Sequence, residues 1–329
     1  MMERKNILDG VSVIIPAYNA ANTLGKCLES AIKQKWLSGY EIIVVNDGSK
    51  DKTKEIALSF PDVQVINTIN GGASKATNIG INKALYGIVV SLDADAVLAD
   101  DWLEKIMPHF ADQSVAAVGG YAITGNKSII GKLMGYDVEL RLDSMPNSTD
   151  HLYTMNTAYR REALIEIGLF DEEMNIGYDV DISRRLKATG YKLILQKDAK
   201  CTHYWRDDLK GYLNQQYNYA YYRLNIREKF KKSSDNLVSL GMILHVPFTA
   251  VIILVAIIGS LVSPWMLLSL LILPILHLPE TIKLLTKRRE LVIFALPLVF
   301  TIRNIIWTWA LLVWGFKHIP NLILLIRRK

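Results

Sequence analysis

Cysteine is nearly absent: the 329 residues include only Cys27 and Cys201. They are far apart and lack the short spacing of a metal-binding pair, so free buried thiols in a reducing compartment are expected rather than a disulfide framework. A leader pattern is missing too. Residues 1–10 are polar and the first apolar run, 11–15, is only strand-length, so the globular part is expected to stay in the cytosol. The chain has no internal repeats, which argues against a pore or transporter built from its tail. Most of it also lacks a charge surplus. Residues 233–329 hold nine Lys/Arg against three Asp/Glu, so the whole formal charge of +6 lies there and the first 232 residues are neutral. Nucleic acid, which needs a basic face on the folded part, is excluded as a partner.

Apolar residues are in excess, at 50% of the chain with a mean hydropathy of +0.18. They concentrate in 237–262, 264–285 and 291–316, the candidate membrane spans of a C-terminal region, 233–329. The first two are long enough to span, with Ser263-Pro264 as a tight turn between them. Lys283, Lys287, Arg288 and Arg289 then fit a return to the cytoplasmic side. The third holds Pro297 and a central Arg303, which is costly at mid-membrane. It either spans, leaving Arg327-Arg328-Lys329 against the charge bias, or re-enters or lies along the interface. Arg303 reads as a partner for a lipid phosphate or as a snorkelling side chain. Residues 206–232 carry five tyrosines and then Arg223, Arg227, Lys229, Lys231 and Lys232. That composition suits an amphipathic interfacial helix, a solvated basic helix being the alternative.

Residues 1–205 alternate strand-like runs (11–15, 41–45, 63–66, 88–92) with helical ones (23–35, 51–60, 74–85, 101–110). This predicts an α/β, Rossmann-like domain with a mostly parallel sheet. Ligands of such sheets bind beyond the carboxyl ends of the strands. Three polar clusters fall there: Pro16-Ala17-Tyr18-Asn19, Asn46-Asp47-Gly48-Ser49 and Asp93-Ala94-Asp95. Each alone is an ordinary turn composition. Two carboxylates one residue apart suit Mg²⁺ or Mn²⁺ with positions left for substrate phosphates, a solvated acidic turn being the plain alternative. Gly71 and Gly72 precede a helix with Lys75 in its first turn, where a cation is unfavourable for the helix but useful to an anionic ligand.

In this order, from Val11-Ser12-Val13-Ile14-Ile15-Pro16-Ala17-Tyr18-Asn19 through Ile43-Val44-Val45-Asn46-Asp47-Gly48-Ser49 and the Lys75 segment to Asp93-Ala94-Asp95, the chain resembles the family 2 glycosyltransferases of GT-A fold over about residues 10–205. The tail and spacing are most similar to the membrane-attached, non-processive branch: succinoglycan-type chain-elongating transferases, then dolichyl-phosphate mannose synthases. The resemblance implies a metal-dependent inverting transferase moving a sugar from a nucleotide-sugar, typically UDP-linked, to a lipid-linked saccharide acceptor at the cytoplasmic face, beside membrane lipids. It implies that Pro16, Tyr18 and Asn19 border the nucleobase and ribose and that Asp47, with Gly48, accepts from the base. Gly72, Lys75 and Asn78 belong to the segment over the nucleotide. Asp93 lies near ribose and metal, and Asp95 holds the metal.

The family's catalytic base is the Asp of a Glu-Asp pair heading a helix. Here Asp179 aligns with it, Tyr178 stands where Glu is usual, and Asp181 is a rival base. Both acids could instead be first-turn acids favoured by the helix dipole. His203, in Thr202-His203-Tyr204-Trp205, is either a late metal ligand or a packed, hydrogen-bonded histidine. Processive relatives carry Gln-x-x-Arg-Trp. This chain has Gln215-Gln216-Tyr217-Asn218-Tyr219-Ala220, which implies one addition per acceptor. Two alternatives remain: a polyprenyl- or dolichyl-phosphate sugar synthase, and a non-catalytic membrane scaffold that kept the fold.

Overall fold

The computed structural model describes residues 10–34, 39–174, 176–229 and 240–326. Expectations for residues 1–9, Lys35, Lys231, Lys232, 237–239 and Arg327-Arg328-Lys329 lie outside the described residues. The chain divides into two compact units, Met1–Lys127 with Met134–Trp205 and Ser128–Leu133 with Arg206–Lys329.

The first unit is a nine-stranded sheet flanked by helices. Its strands are β1 (Val11–Ala17), β2 (Tyr40–Asp47), β3 (Val63–Thr68), β4 (Ile88–Leu92), β5 (Ala96–Leu98), β6 (Val115–Thr124), β7 (Ser148–Thr149), β8 (Asn156–Arg160) and β9 (Lys192–His203). They run in the order β3-β2-β1-β4-β8-β6-β9-β5, with β7 beside β9. β3, β2, β1 and β4 are mutually parallel, as predicted. The other half is mixed: β8 is antiparallel to β4 and β6, β5 and β7 are antiparallel to β9, and β6 is parallel to β9.

The helices are α1 (Leu24–Ile32), α2 (Thr53–Leu58), α3 (Ala73–Lys83), α4 (Trp102–Ile106), α5 (Ile129–Ser144, its residues 129–133 belonging to the second unit), α6 (Arg161–Glu166) and α7 (Tyr178–Ala188). Strand alternation divides the core into two layers. Val11, Val13, Ile15, Ile42 and Val44 face one side, where α1 presents Leu24, Cys27, Leu28 and Ala31 at helical spacing. Ile14, Ile43 and Val45 face the other, against Ala76 and Ile81 of α3 and Ile182 and Leu186 of α7. α3 lies so close to the sheet that a Cβ at Gly80 would sit 2.2 Å from Ile14 Cγ2. Both thiols are free and buried, as expected.

This topology positions the site. The chain leaves β1 toward β2 and β3 on one side and returns as β4 on the other. The carboxyl ends of β1 and β4 therefore flank the point where the strand order reverses, the usual ligand crevice of open α/β sheets.

The second unit is helical: α8 (Leu209–Lys229), α9 (Leu240–Ser260), α10 (Ile272–Ile275), α11 (Leu278–Arg288) and α12 (Leu296–Ile326). Tyr217 and Tyr221 of α8 pack with Val246 of α9 and Trp307 and Ala310 of α12, while Tyr219 and Tyr222 are exposed. Among the described residues one segment, Leu291–His318, is long and apolar enough to cross a membrane. The predicted span 264–285 is not one helix. A 3₁₀ segment at Pro264–Leu271, α10 and α11 replace it, with a bend of 41° between Pro264–Ile275 and Leu278–Arg288. Pro274 and Pro279, which lack a backbone donor, bracket the break. Leu244–Ser260 is a shorter apolar helix. Pro264–Ile275 and Leu278–Arg288 pass the same test together, as a broken span or a re-entrant loop. Leu254, Ile257 and Ile258 of α9 and Leu298, Trp309 and Leu312 of α12 are exposed, an outward-facing apolarity unlike the first unit's.

Candidate functional site

Asp93 and Asp95 leave β4 in a turn closed by hydrogen bonds from Asp93 N to Met155 O and from Ala96 N to Asp93 O, both 3.0 Å. β5 then runs back along β9 with Ala96 opposite His203. This pairing delivers the last residue of β9 to the acids. His203 Nε2 lies 3.1 Å from Asp95 Oδ1 and 3.6 Å from Asp93 Oδ2. The imidazole is buried and stacks on Trp205 with ring centroids 4.1 Å apart.

The electrostatics of the three are linked. Burial lowers the His203 pKa, but the charges and hydrogen bonds of Asp95 and Asp93 outweigh it and raise it to about 9. Partial burial raises the Asp93 carboxyl, opposed by its hydrogen bond to His203 and helped by the charge of Asp95. An imidazolium therefore balances the pair when no other cation is near. The three donors lie within 4.8 Å of one another. Two hard carboxylate oxygens with one imidazole fit Mn²⁺ with positions to spare, and the two carboxylates alone suit Mg²⁺.

The Pro16–Asn19 and Asn46–Ser49 loops are stitched together at the same rim. Asn19, at φ +49°, accepts from Lys50 N at 2.9 Å, and its own N–H donates to Ser49 Oγ at 3.0 Å. Pro16 is half-buried at the end of β1, and Tyr18 is 51% exposed, an aromatic face open to a ligand. Asp47 is buried and already engaged. Its Oδ1 accepts from Gly71 N at 2.8 Å, and its Oδ2 accepts from Gly72 N at 2.9 Å and Asn70 Nδ2 at 3.3 Å. It clamps the glycine loop. Gly48, at φ +70°, lets Asn70 N approach to within 2.7 Å of where a Cβ would stand. Lys75 is half-buried in the first turn of α3, its stem over Gly71.

Asn78 is also fully committed. Its Nδ2 donates to Phe170 O at 2.9 Å and Glu172 Oε1 at 3.0 Å, and its Oδ1 accepts from Phe170 N at 3.0 Å. It fastens the 170–172 segment to α3. The two candidate bases separate cleanly. Asp181 is fully buried and accepts from Arg185 Nε at 2.7 Å one turn along α7. Asp179 follows Gly177, at φ +77°, and accepts from Val180 N at 2.9 Å; its side chain is 24% exposed, with His151 Nε2 3.6 Å from Oδ2. Tyr178 packs edge-to-face on Phe170 at 6.3 Å. Tyr159 joins the groups: burial raises its phenol pKa, and the charges of both Asp179 and Asp93 add to the rise. His151 and Tyr159 are the site residues sequence reasoning missed. No motif marks either, since their relation to Asp179 exists only in the fold.

Residues 12–168 match the family model described as glycosyl transferase family 2. These residues are a family 2 glycosyltransferase domain. Among curated proteins, the chain is 28% identical over 229 residues to a poly-beta-1,6-N-acetyl-D-glucosamine synthase of Staphylococcus aureus, covering 65% of this chain and 54% of that one. It is 29% identical over 201 residues to glycosyltransferase AglE of Haloferax volcanii, covering 59% and 66%. The chain thus spans about half the length of the first of these relatives. A mannosyltransferase from Pyrobaculum calidifontis, solved with GDP-Man and Mn²⁺, superposes with a TM-score of 0.62 at 22% identity, over 93% of this chain and 87% of that one. That likeness shows the shared GT-A fold of the family 2 domain.

Proposed function

We propose that this chain is a membrane-attached, metal-dependent, inverting glycosyltransferase. It moves a sugar from a nucleotide diphosphate donor, a UDP-sugar, to a lipid-linked saccharide in polysaccharide or glycan assembly. The convergence of Asp93, Asp95 and His203 at the reversal point of the sheet, with Asp179 half-buried at the head of α7, carries this reading. Asp93, Asp95 and His203 hold the divalent ion, which when bound offsets the charge that builds on the departing diphosphate. Tyr18, Pro16 and Asn19 border the base and ribose. Gly72 and Lys75 cover the phosphates, with Asp47 and Gly48 shaping that loop. Asp179 accepts the proton of the attacking hydroxyl, and the pairing of Asp181 with Arg185 supports this choice over its rival. The names of the curated relatives support glycan synthesis as the setting. The apolar segment Leu291–His318 supports membrane attachment, and the charge bias of 283–289 in the sequence supports a cytoplasmic setting for the family 2 domain.

The test is full-length protein in detergent with a panel of UDP- and GDP-sugars, with and without Mn²⁺, followed by donor cleavage and transfer to lipid-linked saccharides. Metal-dependent turnover of one donor, one sugar added per acceptor, is the expected result. No binding of any nucleotide in the presence of Mn²⁺ leaves a scaffold. Asp179→Ala separates the acceptors: transfer to a hydroxyl falls by about 10²-fold or more, whereas transfer to a lipid phosphate, which needs no strong base, persists.

A further inference from the structure

The second unit carries a donor cluster that sugar transfer does not use. His245 of α9, His277 at the N-cap of α11 and Glu280 in the first turn of α11 each offer one ligand atom, all within 4.8 Å of one another. His277 is 1% exposed, and the two imidazoles meet edge-to-face at 4.9 Å. One oxygen of Glu280, Oε2, is buried with no hydrogen-bond partner among the described residues. A carboxylate oxygen left without a partner among apolar helices is costly unless it is paired, protonated or coordinating. The chain has six histidines, so two of six at one point in its most apolar third calls for a cause.

We propose that His245, His277 and Glu280 bind one divalent transition ion of the Zn²⁺ class. Two imidazole nitrogens and one carboxylate oxygen with a fourth position open are a common zinc donor set, whereas Mg²⁺ prefers oxygen throughout. The surroundings supply the supporting hydrogen bond such sites need. Asn304 Nδ2 lies 3.0 Å from His277 Nε2. Amide nitrogen and oxygen are interchangeable by rotation, and with the oxygen turned inward Asn304 accepts from Nε2–H and leaves Nδ1 its lone pair. The Arg303 guanidinium is held over the Phe300 ring at 4.0 Å and near Trp307 at 5.6 Å. His277 sits in the 41° break between Pro264–Ile275 and Leu278–Arg288. The ion ties α9 to this bend, where backbone hydrogen bonding is interrupted.

The test uses full-length protein in detergent, without a polyhistidine tag, stripped with EDTA, equilibrated with Zn²⁺ and desalted, in an Asp95→Asn background that weakens the other metal site. Elemental analysis gives one Zn²⁺ per chain, and His245→Ala or Glu280→Gln added to that background reduces it to near zero. Co²⁺ in place of Zn²⁺ gives visible ligand-field bands that disappear in the same variants. No retained Zn²⁺ in the Asp95→Asn protein, or retention that neither added substitution lowers, overturns the proposal. Should those variants misfold, the Co²⁺ spectrum of the Asp95→Asn protein decides alone, and the absence of ligand-field bands rejects the site.

Discussion

The two units treat buried polarity in opposite ways. In the family 2 domain, polar groups gather at strand ends, where loops bind one another and leave a few side chains over. Asp47, Asn78 and Asp181 are consumed holding the frame, while Asp93, Asp95 and Asp179 keep oxygens facing outward. In the helical unit polar side chains lie within apolar helices and face one another: Gln216 accepts from Trp307 Nε1 at 3.1 Å, and Asn304 meets His277. An acid in the sheet is functional when it is left over after folding. A polar group in the tail needs a protein partner or an ion, because apolar surroundings penalise an unmatched one.

Substitutions can break this contrast. The largest effect is expected at Asp95. Asp95→Asn should lower transfer by about 10³-fold, the scale of losing a preorganised charge-stabilising group. Next is the neighbouring pair on α7. Asp181→Asn should destabilise by about 3 kcal/mol, because Arg185 is left without its buried partner, and turnover per folded molecule should survive. Asp179→Asn should do the reverse, and equal effects from the two would erase the distinction between spent and free acids. Gly80→Ala comes third, costing about 2 kcal/mol in a denaturant titration, since Ile14 must move. Trp307→Phe ranks with it, at about 2 kcal/mol, because it leaves the buried Gln216 amide unpaired and a gap in the helical unit's packing.

A pH measurement sharpens the same contrast. With His203 raised from its ordinary value of 6.5 to about 9, its pairing stabilises the metal-free protein fully below pH 6.5, and that contribution disappears as pH climbs through 9. In an NMR titration the His203 ring should change near pH 9 without metal. Added Mg²⁺ should move the midpoint down, because the ion offsets the two carboxylate charges that hold the imidazolium. A His203 midpoint near 6.5 without metal would detach the imidazole from Asp93 and Asp95.

Where the sequence was legible, the reason is local. β1, β2 and β4 are mostly apolar runs that reach Pro16, Asn46 and Asp93 at or just past their ends, so strand and rim could be read together. β5 has three residues, too few for any period to register. β9 is interrupted near Gln196–Lys200, where its register against β6 shifts, and the break conceals a twelve-residue strand. The occupations of Asp47 and Asn78 were not legible because their partners lie 23 to 25 and 92 to 94 residues away. That of Asp181 was readable in principle: Arg185 stands at the i+4 position that closes an ion pair on a helix. In the tail, mean hydropathy located the apolar stretches but not the break at Leu276-His277, which depends on how Pro274 and Pro279 act together.

The pairing of β5 with β9 also bears on biosynthesis. A ribosome releases Asp93 and Asp95 well before His203, which closes the final strand of the sheet. A nascent chain stalled before that strand carries two acids without their imidazole, in a sheet still missing an internal strand. The three-atom cradle is therefore assembled last, and a nascent chain acquires it only when the whole domain has been made.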